Sequence, residues 1–198
     1  MKKITYLIIC LTAFSLFVNA QTSKANEFYN KEFNWSITIP EGFEPMDSKE
    51  WKKMQNKGKD AIDNTFEVDI EINTKNIFIF KSDQYNYFES LYQPNSSTTE
   101  AEYLESVIAV NSLIYETFAT QMPGMEIDSA FSEEIIDNLK FYKNIITLNF
   151  PNGWIMKTIS YTRLFGKKEL CVNIMYINEE KGKLLLDAWR KSTFSGKK

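Results

Sequence analysis

The segment from Thr99 to Gly124 constrains the fold more than any other. Thr99 and Glu102 stand at capping-box spacing, Leu104, Val107, Ile108, Tyr115, Phe118 and Met122 recur on one helical face, and Pro123-Gly124 ends the pattern. This predicts a long amphipathic helix whose apolar stripe must lie on something. The flanking sequence supplies sheet. Phe33, Trp35, Ile37 and Ile39 alternate with Asn34, Ser36 and Thr38 up to Pro40, and Phe28-Tyr29 is placed to pair with them as a hairpin. The last third reads as a three-stranded meander over 139–150, 154–164 and 169–177, with turns at Pro151-Asn152-Gly153 and Phe165-Gly166.

Two further helices are expected. Asp47, three residues before Glu50, caps a segment in which Trp51, Met54, Ala61 and Ile62 share a face, and Gly58 threatens to break it early. Residues 179–191 would bury Leu184, Leu185, Ala188 and Trp189. Phe66, Val68, Ile70 and Ile72 alternate with Glu67, Asp69 and Glu71, which predicts a strand with an acidic face, followed by a second strand over 77–81. Residues 85–92 read as an irregular aromatic stretch. Helices set between strand hairpins predict an α+β fold, an antiparallel β-sheet flanked by helices on both faces.

The order from the hairpin with Phe33-Asn34-Trp35-Ser36-Ile37-Thr38-Ile39-Pro40-Glu41-Gly42-Phe43, through helix, hairpin, long helix and meander, to the terminal helix ending Lys191-Ser192-Thr193-Phe194 resembles the PsbP/Mog1 fold. The resemblance spans nearly all of residues 28–194. It implies a partner-binding protein without a common catalytic motif, and it assigns no residue a role.

Lys2 and Lys3, an uncharged apolar run from Ile4 to Val18, and Val18-Asn19-Ala20 read as a signal peptide over residues 1–20, ahead of one globular domain over 21–198. The 15-residue apolar run is short for a membrane anchor, which needs about 20 residues. The expected location is periplasmic or extracellular. Removing Lys2 and Lys3 takes the net charge from −3 to −5, which gives no electrostatic case for nucleic acid or an anionic membrane surface.

The chain has no His, which removes the Ser/His and Cys/His nucleophilic sites and the His-liganded metals. Neither a phosphate loop nor a dinucleotide fingerprint occurs, so no cofactor is expected. Glu67, Asp69 and Glu71 suggest a cation site, but about 7 Å between alternate strand residues spaces them poorly for one ion, so no metal is expected. Glu133-Glu134 and Glu179-Glu180 supply adjacent acid pairs of the kind hydrolysis needs, but solvated caps explain them better. Cys171, in a strand read as apolar on both faces, is expected to be a packing residue. Tyr85, Tyr87, Tyr92 and Trp154 are the candidates for partner binding, since each offers a broad ring for stacking or a protein contact. Together these readings favour a non-enzymatic, exported binding or accessory protein. The alternative is a small-ligand carrier or carboxylate-dependent hydrolase working in a groove beside the sheet.

Overall fold

The computed structural model describes residues 26–67 and 73–194. The expected signal peptide over residues 1–20 and residues 68–72, which include Asp69 and Glu71, lie outside the described residues. The elements run β1 (Asn26–Asn30), β2 (Trp35–Ile39), β3 (Glu44–Pro45), α1 (Ser48–Phe66), β4 (Lys75–Asp83), β5 (Asn86–Pro94), α2 (Glu100–Gln121), β6 (Glu126–Ile136), β7 (Leu139–Asn149), β8 (Ile155–Phe165), β9 (Lys168–Tyr176) and α3 (Glu179–Arg190). Seven strands form one antiparallel sheet in the order β3-β4-β5-β9-β8-β7-β6, and β1 and β2 pair as a separate hairpin. This is the expected α+β architecture, with helices on both faces of the sheet.

Alternation along each strand gives the sheet two unlike faces. One face carries Phe80, Phe88, Tyr161, Leu170, Val172 and Ile174, which pack with Trp35 and Ile37 of the hairpin and Leu185 and Trp189 of α3. Trp35 is fully buried there, perpendicular to Trp189 at 5.8 Å and stacked on Phe194 at 5.8 Å. Backbone hydrogen bonds exchanged by Ser36 and Thr193 tie the hairpin to the segment that follows α3. The other face carries α1 and α2. Trp51 packs on Tyr87, and Tyr103 and Val107 pack on Tyr142.

Capping fixes the helices as expected. Asp47 accepts from the Lys49 and Glu50 amides, and Thr99 and Glu102 complete a reciprocal box. Gly58 does not break α1, which continues to Phe66 because its apolar face is held against the sheet and α2. Phe66 is therefore the last helical residue rather than the first of a strand, and Glu67 takes the left-handed cap conformation at φ 54°. On α2 the buried residues are Tyr103, Val107 and Thr117, whereas Ile108 is exposed. On α3, Leu184 points outward and Leu185 and Trp189 inward.

Two strands differ from the sequence reading. Residues 86–94 are a regular strand, β5, paired on both sides, because their alternating rings fill both faces of the sheet. The meander has a fourth strand, β6, joined to β7 by Asp137 and Asn138, both at positive φ. As the edge of the sheet β6 is mostly exposed, so its residues carry no apolar alternation to read. The Asp-Asn pair, suited to a two-residue hairpin turn, was the available signal.

Gly182 marks the closest approach of α3 to the sheet. A Cβ there would fall 2.4 Å from the Tyr176 ring. Helix propensity alone favours Ala over Gly by about 1 kcal/mol, but displacing a packed ring typically costs about 1 to 3 kcal/mol. Gly182→Ala is expected to lower stability in urea denaturation, and a stabilised variant would show that α3 shifts freely on β9.

Candidate functional site

A groove opens where α1 and α2 lie on the sheet. The helices touch near their C-terminal ends, where the Gln121 amide donates to Thr65 Oγ1 at 3.0 Å. Toward their N-termini they stand on different parts of the sheet, α1 by Trp51 on Tyr87 and α2 by Tyr103 on Tyr142. Between them lies a volume of about 800 Å³, walled by Trp51, Met54 and Ile62 of α1 and Val110, Asn111 and Ile114 of α2. An adjoining lobe of about 330 Å³ reaches Phe118, Ile146 and Thr158.

The floor is crossed by a row of polar side chains, one from each of four strands. Glu89 of β5 lies opposite Asn173 of β9, Asn173 opposite Ser160 of β8, and Ser160 opposite Asn144 of β7. Ser160 Oγ donates to Asn173 Oδ1 at 2.8 Å, and Asn173 Nδ2 donates to Glu89 Oε2 at 3.1 Å. Glu89 is 5% exposed, and its Oε1 is buried without a hydrogen-bond partner, as are Thr158 Oγ1 and Asn111 Nδ2. Burial pushes the Glu89 carboxyl up to about 7, against the opposing pull of the Asn173 amide. A buried acceptor left unpaired costs about 1 to 3 kcal/mol.

A second buried acid on this face, Glu169, is fully engaged. Tyr103 Oη donates to Oε1 at 3.1 Å and Gln93 Nε2 to Oε2 at 2.7 Å. Cys171 stands between Glu169 and Asn173 on β9. It is half-buried and lines the groove rather than packing in the core, because its strand alternates between the aromatic face and the polar one. Burial, then the charges of Glu169 and Glu89, raise its thiol well above the ordinary value.

The four aromatic candidates are not brought together. Tyr87 is 8% exposed and packs on Trp51 in the groove wall. Tyr85 is 38% exposed in the β4–β5 turn, and Trp154 is 55% exposed in the β7–β8 turn at the same end of the sheet. Tyr92 sits toward the opposite end, edge-on to Phe33, with Lys75 and Lys168 over its ring. The acid pairs separate as well. Glu133 bonds Lys140, while Glu134 accepts from Lys143, Arg190 and Tyr161. Burial pushes Glu134 up, but the Arg190 and Lys143 hydrogen bonds outweigh it and hold the carboxyl at about 2. Glu179 is paired with Lys157. Among the described residues no cluster of metal-ligating side chains is present, and no helix is long and apolar enough to cross a membrane.

Glu89 gives a pH-dependent stability. Its carboxyl moves from an ordinary 4.5 to about 7 on folding, so the folded chain holds the proton more tightly. The associated stability is complete below about pH 4.5 and is lost as pH rises to 7, about 3 kcal/mol at most. Glu89→Gln removes this titration. The variant is expected to melt near wild type at pH 4.5 and several degrees above it at pH 8. An unchanging difference across that range would place the Glu89 carboxyl in water.

No protein-family model matches the chain, and no curated protein matches it. The fold does match a solved structure, the solution structure of cyanobacterial PsbP (CyanoP) from Synechocystis sp. PCC 6803, with a TM-score of 0.53 and 8% identity over 85% of this chain and 91% of that one. At that identity the likeness is one of architecture. The chain has a PsbP-like fold.

Proposed function

We propose that this chain is a non-enzymatic accessory protein of the bacterial envelope that binds a small amphipathic molecule in the groove between α1, α2 and the sheet. One observation carries the reading: a volume of about 800 Å³ with mostly apolar walls whose floor holds a buried carboxylate oxygen without a partner. Such a combination of apolar walls with a few convergent polar groups is the usual character of a ligand pocket. The dispersal of Tyr85, Tyr92 and Trp154 over both ends of the sheet favours a small ligand over a protein docked on those rings. The envelope location rests on the leader pattern of residues 1–20.

Hydrolysis is the weaker reading. Acid pairs that cleave glycosides stand about 5 to 9.5 Å apart. Glu89 faces Asn173, and Glu169 lies four residues along β9, which is about 13 Å of strand. Both oxygens of Glu169 are already bonded, and the raised thiol of Cys171 leaves little thiolate for attack.

The fluorescent probe N-phenyl-1-naphthylamine tests the groove. It is expected to bind one to one, and Val110→Trp at the groove mouth should weaken it at least tenfold, whereas Leu184→Trp on the far side of the sheet should not. In a Cys10→Ser background, Cys171 should react slowly with a maleimide at pH 7, and bound probe should slow it further. Equal binding by both tryptophan variants, with no protection of Cys171, would refute the groove as the ligand site.

A further inference from the structure

We infer that the ligand of this groove is an organic ammonium, an apolar body ending in a protonated amine that docks on Glu89 Oε1. The inference rests on the groove being a ligand site and adds the chemistry of the ligand. Its starting point is the arrangement of the polar row. Ser160 donates to Asn173 Oδ1, which turns the amide nitrogen of Asn173 toward Glu89, where it donates to Oε2. A donor at that position favours the ionised carboxylate, an acceptor of hydrogen bonds, over the neutral acid. That amide satisfies one oxygen of the carboxyl against the larger cost of burial, and the second oxygen is left unpartnered.

Among the described residues no lysine or arginine is paired with Glu89, although Lys57 and Lys59 stand at the rim of the groove. The titratable groups nearest Glu89 are Tyr87 on its own strand and Cys171 on β9, both of them neutral, and the acidic Glu169 lies farther along β9. From α2 and β8 the groove receives Asn111, Ser160 and Thr162, without charge. From α1 come Glu50, Lys57 and Lys59. Glu50 is paired with Lys81 and Lys59 with Asp63, and no lysine or arginine lowers the Glu89 carboxyl, whose one stabilising partner is Asn173. An ammonium nitrogen placed on Oε1 would supply the missing donor and the missing charge at once. Its charge-assisted hydrogen bond is about twice as strong as a neutral one. The carboxylate is already desolvated by folding, so only the ammonium loses water on binding. The Trp51 and Tyr87 rings above the floor add two faces attractive to a cation, and Met54, Ile62 and Ile114 accommodate the apolar body. A carboxylate ligand would meet like charge at the same oxygen, and a neutral alcohol would leave the charge unbalanced.

Three probes of equal length separate these cases: n-octylammonium, 1-octanol and octanoate, titrated calorimetrically into the full chain at pH 6 and pH 8. Octylammonium should bind at least tenfold more tightly than octanol at pH 8, and octanoate most weakly. Its affinity should fall about tenfold from pH 8 to pH 6, following the ionised fraction of Glu89. Glu89→Gln keeps an acceptor for Asn173 and should erase both the ammonium preference and the pH dependence while leaving octanol binding in place. If that variant fails to fold, the wild-type comparison of octylammonium with octanol and of pH 6 with pH 8 decides the matter. Octanol or octanoate binding as tightly as the amine, or an ammonium affinity that rises toward pH 6, overturns the amine and leaves the groove as a site for another ligand. Absence of binding by all three probes and by N-phenyl-1-naphthylamine overturns the groove itself.

Discussion

The fold depends on Trp35. Its ring is fully buried and meets Phe78, Phe88, Trp189 and Phe194, so that one side chain joins the β1–β2 hairpin, the sheet, α3 and the segment after it. Truncating a buried Trp typically costs about 3 to 5 kcal/mol. The hairpin has no ladder to the main sheet, and the Ser36–Thr193 bridge, the Glu32–Lys168 ion pair and this aromatic packing hold it. With one face fixed this firmly, the opposite face is free to be something other than core.

That freedom is visible in how the two faces are filled. Phe80, Phe88, Phe141, Tyr161 and Trp189 interlock on the dry side. On the other side the central position of four successive strands is polar, Glu89, Asn173, Ser160 and Asn144, and the helices above it diverge instead of closing down. A polar row in a sheet interior is destabilising unless each member is satisfied. Here it is satisfied from Ser160 to Glu89 Oε2 and then stops, one atom short.

Much of the architecture was legible in the sequence because capping and alternation are local signals. Asp47, Thr99 and Pro123-Gly124 bound their helices where the residues say they should. Residues 86–94 escaped because a strand buried on both faces loses the alternation that identifies a half-buried one. The groove escaped for another reason. Glu89, Asn144, Ser160 and Asn173 are unremarked singly, and only the strand register makes them a row. Aligning the inward positions of the four strands would have exposed it, but that alignment needs the pairing order, which is a tertiary fact. The aromatic candidates do not form one cluster for the same reason, since closeness in sequence along 85–92 becomes opposite ends of one strand.

The Ser36–Thr193 bridge has a kinetic consequence. It joins a residue near the first strand to one just beyond the last helix, so closing it encloses nearly the whole described chain. Contacts of such wide separation carry the largest loop entropy and are slow to form. The β6–β9 meander, built from neighbouring hairpins, needs no such closure. Folding is therefore expected to run from the meander outward, with the hairpin arriving last as a cover over an aromatic surface that is exposed until then. Pulse-labelling hydrogen exchange would show the Ser36 and Thr193 amides gaining protection after those of β8 and β9. A chain that leaves its largest apolar surface open until its final step is most vulnerable to self-association in that interval.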